Sequence, residues 1–188
     1  MRLDLIGQTV VVIGGSAGIG LETARRARAE GASLILTARN AGALALVARE
    51  LGAHHTAAFD AHDPASLQAF FRDLPDQIDH VMVTAGAPFY RPPLEISLDE
   101  ARQGLTSHLI LALSVAQNAA KKVKPSGSLT FMGGTGARRP RMGTGVVSTA
   151  TRGFSRAGCQ SCARTCANPR QPDCRRIRRY TALGNDSG

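Results

Sequence analysis

The stretch "VVIGGSAGIG" sets Gly14, Gly18 and Gly20 at the spacing G-x-x-x-G-x-G. Glycines so spaced let the backbone turn tightly and bring its N–H groups close to an anion, because no Cβ blocks the approach. A β-branched run, "TVVVIGG", precedes them, and a run of helix formers follows. The anion would therefore meet a helix N-terminus, where unpaired N–H groups and the helix dipole favour a pyrophosphate. Without a ligand, the same residues make a tight strand-to-helix turn. Other reactive side chains show less order. His54, His55, His62 and His80 fall at strand starts or in loops, with no metal-ligand spacing to carboxylates, so surface or strand-edge roles are expected. Cys159, Cys162, Cys166 and Cys174 follow C-x2-C-x3-C-x7-C near the end of the chain, a pattern that admits zinc or an iron–sulfur cluster.

The elements that must hold these groups alternate strand and helix. "TVVVIGG" reads as a strand buried on both faces of a parallel sheet. "GIGLETARRARAEGA" is a helix closed by Gly31, "SLILTAR" a second strand, and "AGALALVARELGA" a second helix closed by Gly52. "HHTAAFD" is a third strand. Asp63 caps the next helix, with Pro64 at its first position. "DHVMVTAG" is a fourth strand, a long helix runs from about Leu98 to Lys122, and "GSLTFMGG" is a fifth strand. "GTGVVSTAT" opens another helix. Such alternation predicts right-handed βαβ units and a Rossmann-type, doubly wound parallel α/β sheet, with ligands beyond the carboxyl ends of its strands.

The chain has 188 residues, 43% hydrophobic and 20% charged, which is ordinary for one globular domain. No apolar run is long enough to span a bilayer, and "MRLDLIGQTV" does not read as a secretory leader, so a cytoplasmic protein without a membrane partner is expected. The net charge of +9 would suggest nucleic acid if it were spread evenly. It is not: residues 152–188 hold 8 of the 23 basic and 2 of the 14 acidic residues, so this tail supplies +6 and residues 1–151 only +3. All four cysteines lie in the same tail, and composition changes sharply near Thr151. The expected division is a dinucleotide-binding core over 1–151 and an aberrant basic tail over 152–188.

From Leu5 to about Thr151 the chain resembles the short-chain dehydrogenase/reductase family, whose loop reads T-G-x-x-x-G-I-G; here Ile13 replaces the threonine. "FDAHD" resembles the family's third-strand end and makes Asp60 the partner of the adenine amino group. "VTAG", Val83 to Gly86, resembles the N-N-A-G turn beside the cofactor, without its asparagines. The resemblance implies an oxidoreductase that moves hydride to or from a small carbonyl or alcohol, working as a homo-oligomer. It implies cofactor contacts from Gly14, Ser16, Gly18, Ile19, Gly20, Arg39, Asp60, Ala85 and Gly86. The end of the second strand selects the cofactor: an acid there bonds the ribose 2′-OH of NAD, a base accommodates the 2′-phosphate of NADP. Thr37, Ala38 and Arg39 include no acid, so Arg39, with Ser16, favours NADP, NAD being the alternative.

At the catalytic positions the chain departs from the family. The family's serine after strand five falls on Gly134, or on Gly133; its tyrosine on Val147; its lysine on Thr151; and its helix asparagine on His108. Thr135 and Ser148 bring hydroxyls nearby, but neither titrates like a phenol. The alternative to an enzyme is a non-catalytic dinucleotide-binding or regulatory protein on the same fold.

The tail admits a third reading beside metal and nucleic acid. Shifted by one base from Ala163 onward, its degenerate codons permit R-E-L-A-P-I-R-V-N-L-I-A-A-G-F-V-D-T-P-L, which resembles the family's sixth strand and following loop. On this reading residues 152–188 are out-of-frame translation and the chain is truncated after five strands. The lysine position is not restored by the shift, because the shifted codon at Thr151 begins with C.

Overall fold

The computed structural model describes residues 5–86, 90–92, 94–133, 143–150 and 152. Five parallel strands form one sheet in the order β3-β2-β1-β4-β5: β1 (Thr9–Ile13), β2 (Ser33–Ala38), β3 (His55–Ala58), β4 (Ile78–Val83) and β5 (Val123–Phe131). Helices α1 (Gly18–Ala29), α2 (Ala41–Leu51) and α3 (Pro64–Asp73) connect the first four strands. The chain then runs through α4 (Leu98–Leu105), a π turn (Thr106–Ile110) and α5 (Leu111–Ala119) to β5. Crossing outward from β1 on both sides makes the sheet doubly wound, as expected.

The chain divides into two compact units, Met1–Pro88 with Thr106–Met132, and Phe89–Leu105 with Gly133–Gly188. The first holds the sheet. Alternation along β1 splits its core: Val11 and Ile13 pack with Leu67, Phe70, Phe71, Leu111 and Val115, while Val10 and Val12 pack with Ala24, Ala27, Leu44 and Val47. Both faces of β1 are thus covered, which is why its sequence is continuously apolar. In the second unit Ser97 and Glu100 close a reciprocal capping box at the start of α4, and residues 145–150 are helical.

Helix boundaries follow local chemistry. Asp63 accepts from the backbone N–H groups of Ala65 and Ser66, with Pro64 at the first position of α3. Gly52 ends α2 in the left-handed region, at φ 58°. Two elements differ from the sequence reading. The long helix is interrupted by the π turn. The fifth strand begins earlier, at Val123, and runs through Pro125 and Gly127 with a register shift opposite Ile78 and His80. "KPSG" carries turn residues, but on this strand the shift accommodates the proline and brings Gly127 hard against the carbonyl of Asp79.

Candidate functional site

The turn after β1 is held by backbone. Gly14 and Gly15 both donate N–H bonds to the carbonyl of Thr37 at 2.9 Å, joining the ends of β1 and β2. Thr84 and Ala85 donate N–H bonds to the carbonyl of Ile13 at 2.9 and 3.0 Å. The Thr84 hydroxyl bonds the carbonyls of Ile13 and Gly14 at 3.2 and 3.1 Å, joining β4 to the same turn. A Cβ on Gly14, at φ 94°, would stand 2.8 Å from the Ala85 nitrogen, and one on Gly20 would collide with the Gly14 carbonyl and the Thr84 hydroxyl. The two glycines are therefore required by the fold itself. Gly18 differs: a Cβ there would meet nothing within 4 Å.

The turn delivers the chain into α1 with its first amides uncapped. Ala17 holds the cap position and offers no side-chain hydrogen bond, whereas Asn40 and Asp63 cap α2 and α3. Helix α1 also carries no acid in its first turn. This helix end has donors and a positive dipole to offer an anion, and no side chain competing for them. Ser16 beside it is half-buried, and Ile19 is exposed.

Around the turn, Arg39 stands exposed just past the buried end of β2. Asp60 lies past β3, with a carboxyl held below the usual range by the His62 backbone N–H and then the His62 ring, against a small opposing effect of burial; the charges of His62 and Arg39 add to it. Gly86 follows β4 at φ 117°, and a Cβ there would stand 3.4 Å from the carbonyl of Ser107 in the π turn. His108 is the next residue, its Nδ1 3.0 Å from the Ser107 hydroxyl. The carboxyl ends of β1, β2 and β4 thus bring Gly14, Gly20, Arg39, Ala85 and Gly86 to one end of the sheet, with Asp60 past β3.

The positions that resemble the family's catalytic ones are less fully described. Val147 is half-buried and Ser148 buried in the helical segment 145–150, where the Ser148 hydroxyl donates to that of Thr144 at 3.1 Å. Gly133 is exposed. Gly134, Thr135, Thr151 and the four cysteines lie outside the described residues. Among the described residues no group of histidine, cysteine and acidic side chains could hold a metal ion, and no helix is long and apolar enough to cross a membrane.

The sequence reading gave His62 and His80 surface or strand-edge roles; in the structure both are partly buried and hydrogen-bonded, and β4, which carries His80, is paired on both sides. His80 is half-buried inside β4, with its Nδ1 2.8 Å from the Ser128 hydroxyl and its Nε2 2.6 Å from Gln8 Oε1. His62 bonds Asp60 and the π turn. No periodicity signals either role: Asp60 is only two residues from His62, but Ser107, Ser128 and Gln8 lie 45 to 72 residues from the histidines they meet.

Residues 8–168 match the family model described as short chain dehydrogenase. A short-chain dehydrogenase/reductase of Stachybotrys chlorohalonatus is 26% identical over 77% of this chain and 63% of its own length. Serine 3-dehydrogenase of Agrobacterium fabrum is 29% identical over 79% of this chain and 61% of its own. This chain therefore spans somewhat under two thirds of the length of these two relatives. The crystal structure of BdcA in complex with NADPH shares the fold, with a TM-score of 0.76 and 23% identity over 85% of this chain and 66% of that one.

Proposed function

The chain belongs to the short-chain dehydrogenase family, and from that premise we propose that it binds a nicotinamide dinucleotide, NADP in preference to NAD, as part of an oxidoreductase acting on a small carbonyl or alcohol. The observation that carries the reading is the uncapped N-terminus of α1 behind a turn in which Gly14 and Gly20 exclude any side chain. Gly14, Ser16, Gly18, Ile19 and Gly20 would hold the pyrophosphate, Arg39 the 2′-phosphate, Asp60 the adenine amino group, and Ala85 and Gly86 the nicotinamide half. When bound, the nicotinamide supplies or accepts the hydride.

The proton is the harder part. Carbonyl reduction needs a donor at the carbonyl oxygen. Val147 cannot donate, and Thr151 cannot supply the cation that lowers a phenol's pKa. His108, Ser148 and Thr135 are the donors the chain retains, and His108, in the π turn, is the one that carries an imidazole. The missing tyrosine and lysine favour a second reading, a non-catalytic dinucleotide-binding protein. Residues 1–151 form the binding core on either reading, and residues 152–188 are out-of-frame translation, to be tested by resequencing codons 145–188.

Fluorescence titration with NADPH and NADH tests the cofactor. NADPH is expected to bind at least about tenfold tighter, and Arg39→Ala to erase the difference, since one charged contact to the phosphate is lost. Equal affinities, or NADH preference, overturn the role of Arg39. NADPH oxidation over a broad carbonyl panel then separates the two readings. If His108 is the donor, His108→Ala slows turnover by about 100-fold or more. Tight binding with no turnover on any carbonyl supports the non-catalytic protein.

A further inference from the structure

We propose that His62 is a positioning residue for the adenine end of the site, holding the Asp60 carboxylate and tying it to the Ser107 carbonyl in the π turn. The inference rests on the reading of Asp60 as the adenine acceptor. His62 Nδ1 stands 3.0 Å from Asp60 Oδ1, and the backbone N–H of His62 donates to the same oxygen at 3.0 Å. Two bonds on Oδ1 orient the carboxylate and leave Oδ2 to accept from the amino group of an adenine. On its other edge, the ring places Nε2 3.3 Å from the Ser107 carbonyl, forty-five residues away along the chain.

A carboxylate and a carbonyl can only accept, so the ring must donate at each contact; an imidazolium makes both bonds at once and a neutral ring makes one. The ring is 29% exposed and the carboxylate 50%, so the pair is open enough for a ligand to reach and still partly shielded. The Ser107 carbonyl is a junction for a second reason. It also lies against Gly86, where a Cβ would come within 3.4 Å. His62 therefore links the segment after β3 to the same point of the π turn that the end of β4 touches. A π turn is a single i→i+5 turn set into a helix, a feature frequent at functional sites. Its next residue, His108, is bonded through Nδ1 to the Ser107 hydroxyl. The adenine end and the π turn that carries His108 are thus mechanically joined through one imidazole.

The test compares the full chain's affinity for NADPH with that for the analogue carrying hypoxanthine in place of adenine, which lacks the amino group. A bond from that group to an oriented carboxylate predicts a preference of about tenfold for NADPH. Asp60→Ala is expected to abolish the preference. His62→Ala is expected to reduce it by about threefold or more with an unchanged thermal melt, as loss of one of two orienting bonds implies. His62→Asn, whose amide can reproduce Nδ1, should restore it; His62→Gln, whose amide reproduces Nε2, should not. A full preference in His62→Ala, with none in Asp60→Ala, overturns the role of His62 and leaves the cofactor reading intact. Equal binding of both compounds by the unaltered chain removes Asp60 as the adenine acceptor and His62 with it. Binding of neither overturns the cofactor reading itself.

Discussion

The glycine turn after β1 and the helical segment around Val147 belong to one inherited plan, yet they tolerate change differently. At the turn, what would meet a ligand is backbone. Gly14 and Gly20 are needed because the Thr84 hydroxyl, the Ala85 nitrogen and the Gly14 carbonyl leave no room for a Cβ. The same atoms pack the fold and would shape a cradle for that ligand, so neither can be altered alone. At Val147, the position resembling the family's tyrosine, the chemistry would rest on a side-chain tip and not on backbone approach. A valine is half-buried there and the surrounding residues are still helical. Fold and reaction are separable where function depends on side chains, and inseparable where it depends on backbone approach.

The largest expected effect breaks the turn. Gly20→Val drives a branched side chain into the Gly14 carbonyl and the Thr84 hydroxyl, and urea denaturation should register a loss of about 3 kcal/mol or more, within the range of overpacked cores. Gly18→Ala, whose Cβ meets open space at φ 54°, should cost only about 1 kcal/mol, from the left-handed backbone alone. Similar costs at the two positions would contradict the account of the turn.

A smaller effect lies at the opposite end of the sheet. Asp79 is buried and accepts from the Thr9 N–H at 2.9 Å and from Lys124 Nζ at 2.8 Å. Burial pushes its carboxyl up, but the Lys124 bond, the Thr9 N–H and the nearby charges outweigh this and hold it below the ordinary value of 3.8. Its contribution is present above 3.8 and lost as pH falls through the lower folded value. His80 is shifted down chiefly by burial, with the Asp79 charge opposing and Lys124 assisting. The unfolded chain therefore takes up a proton there first, and stability should begin to fall as pH drops below about 6.5, well before Asp79 titrates. Melts from pH 8 to pH 3 should show this early loss, and His80→Gln, which keeps the polar contacts without titrating, should remove it. A flat profile down to pH 5 would count against a half-buried histidine whose charged form folding disfavours.

The smallest effect sharpens the contrast between the helix ends. Asn40 accepts from the Ala43 N–H at 2.9 Å, and Asn40→Ala should cost about 1 kcal/mol in a thermal or urea melt. Ala17→Gly at the uncapped end of α1 should change stability by no more than a few tenths of a kcal/mol, because there is no cap to lose. Equal losses would mean that the start of α1 is held by a contact other than the turn.

Local pattern determined much of this protein. The β-branched runs, the glycines at strand and helix ends, and the caps at Asp63 and Gly52 are short-range signals, and the first four strands, the first three helices and the glycine turn follow from them. Resemblance added Arg39, Asp60 and Gly86 as residues to watch. Other features became visible only in the folded chain. The early start of β5 through Pro125 depends on a register shift against β4 that no propensity encodes. The Thr84 lock on Gly14 joins positions 70 residues apart, and the Lys124–Asp79 pair spans 45. His62 read as an ordinary loop histidine until the π turn brought the Ser107 carbonyl to its far nitrogen. The physical reason is common to all of them. Backbone conformation is set by neighbours along the chain, whereas a side chain's partners are chosen by how the layers pack, and only the tertiary structure brings them together.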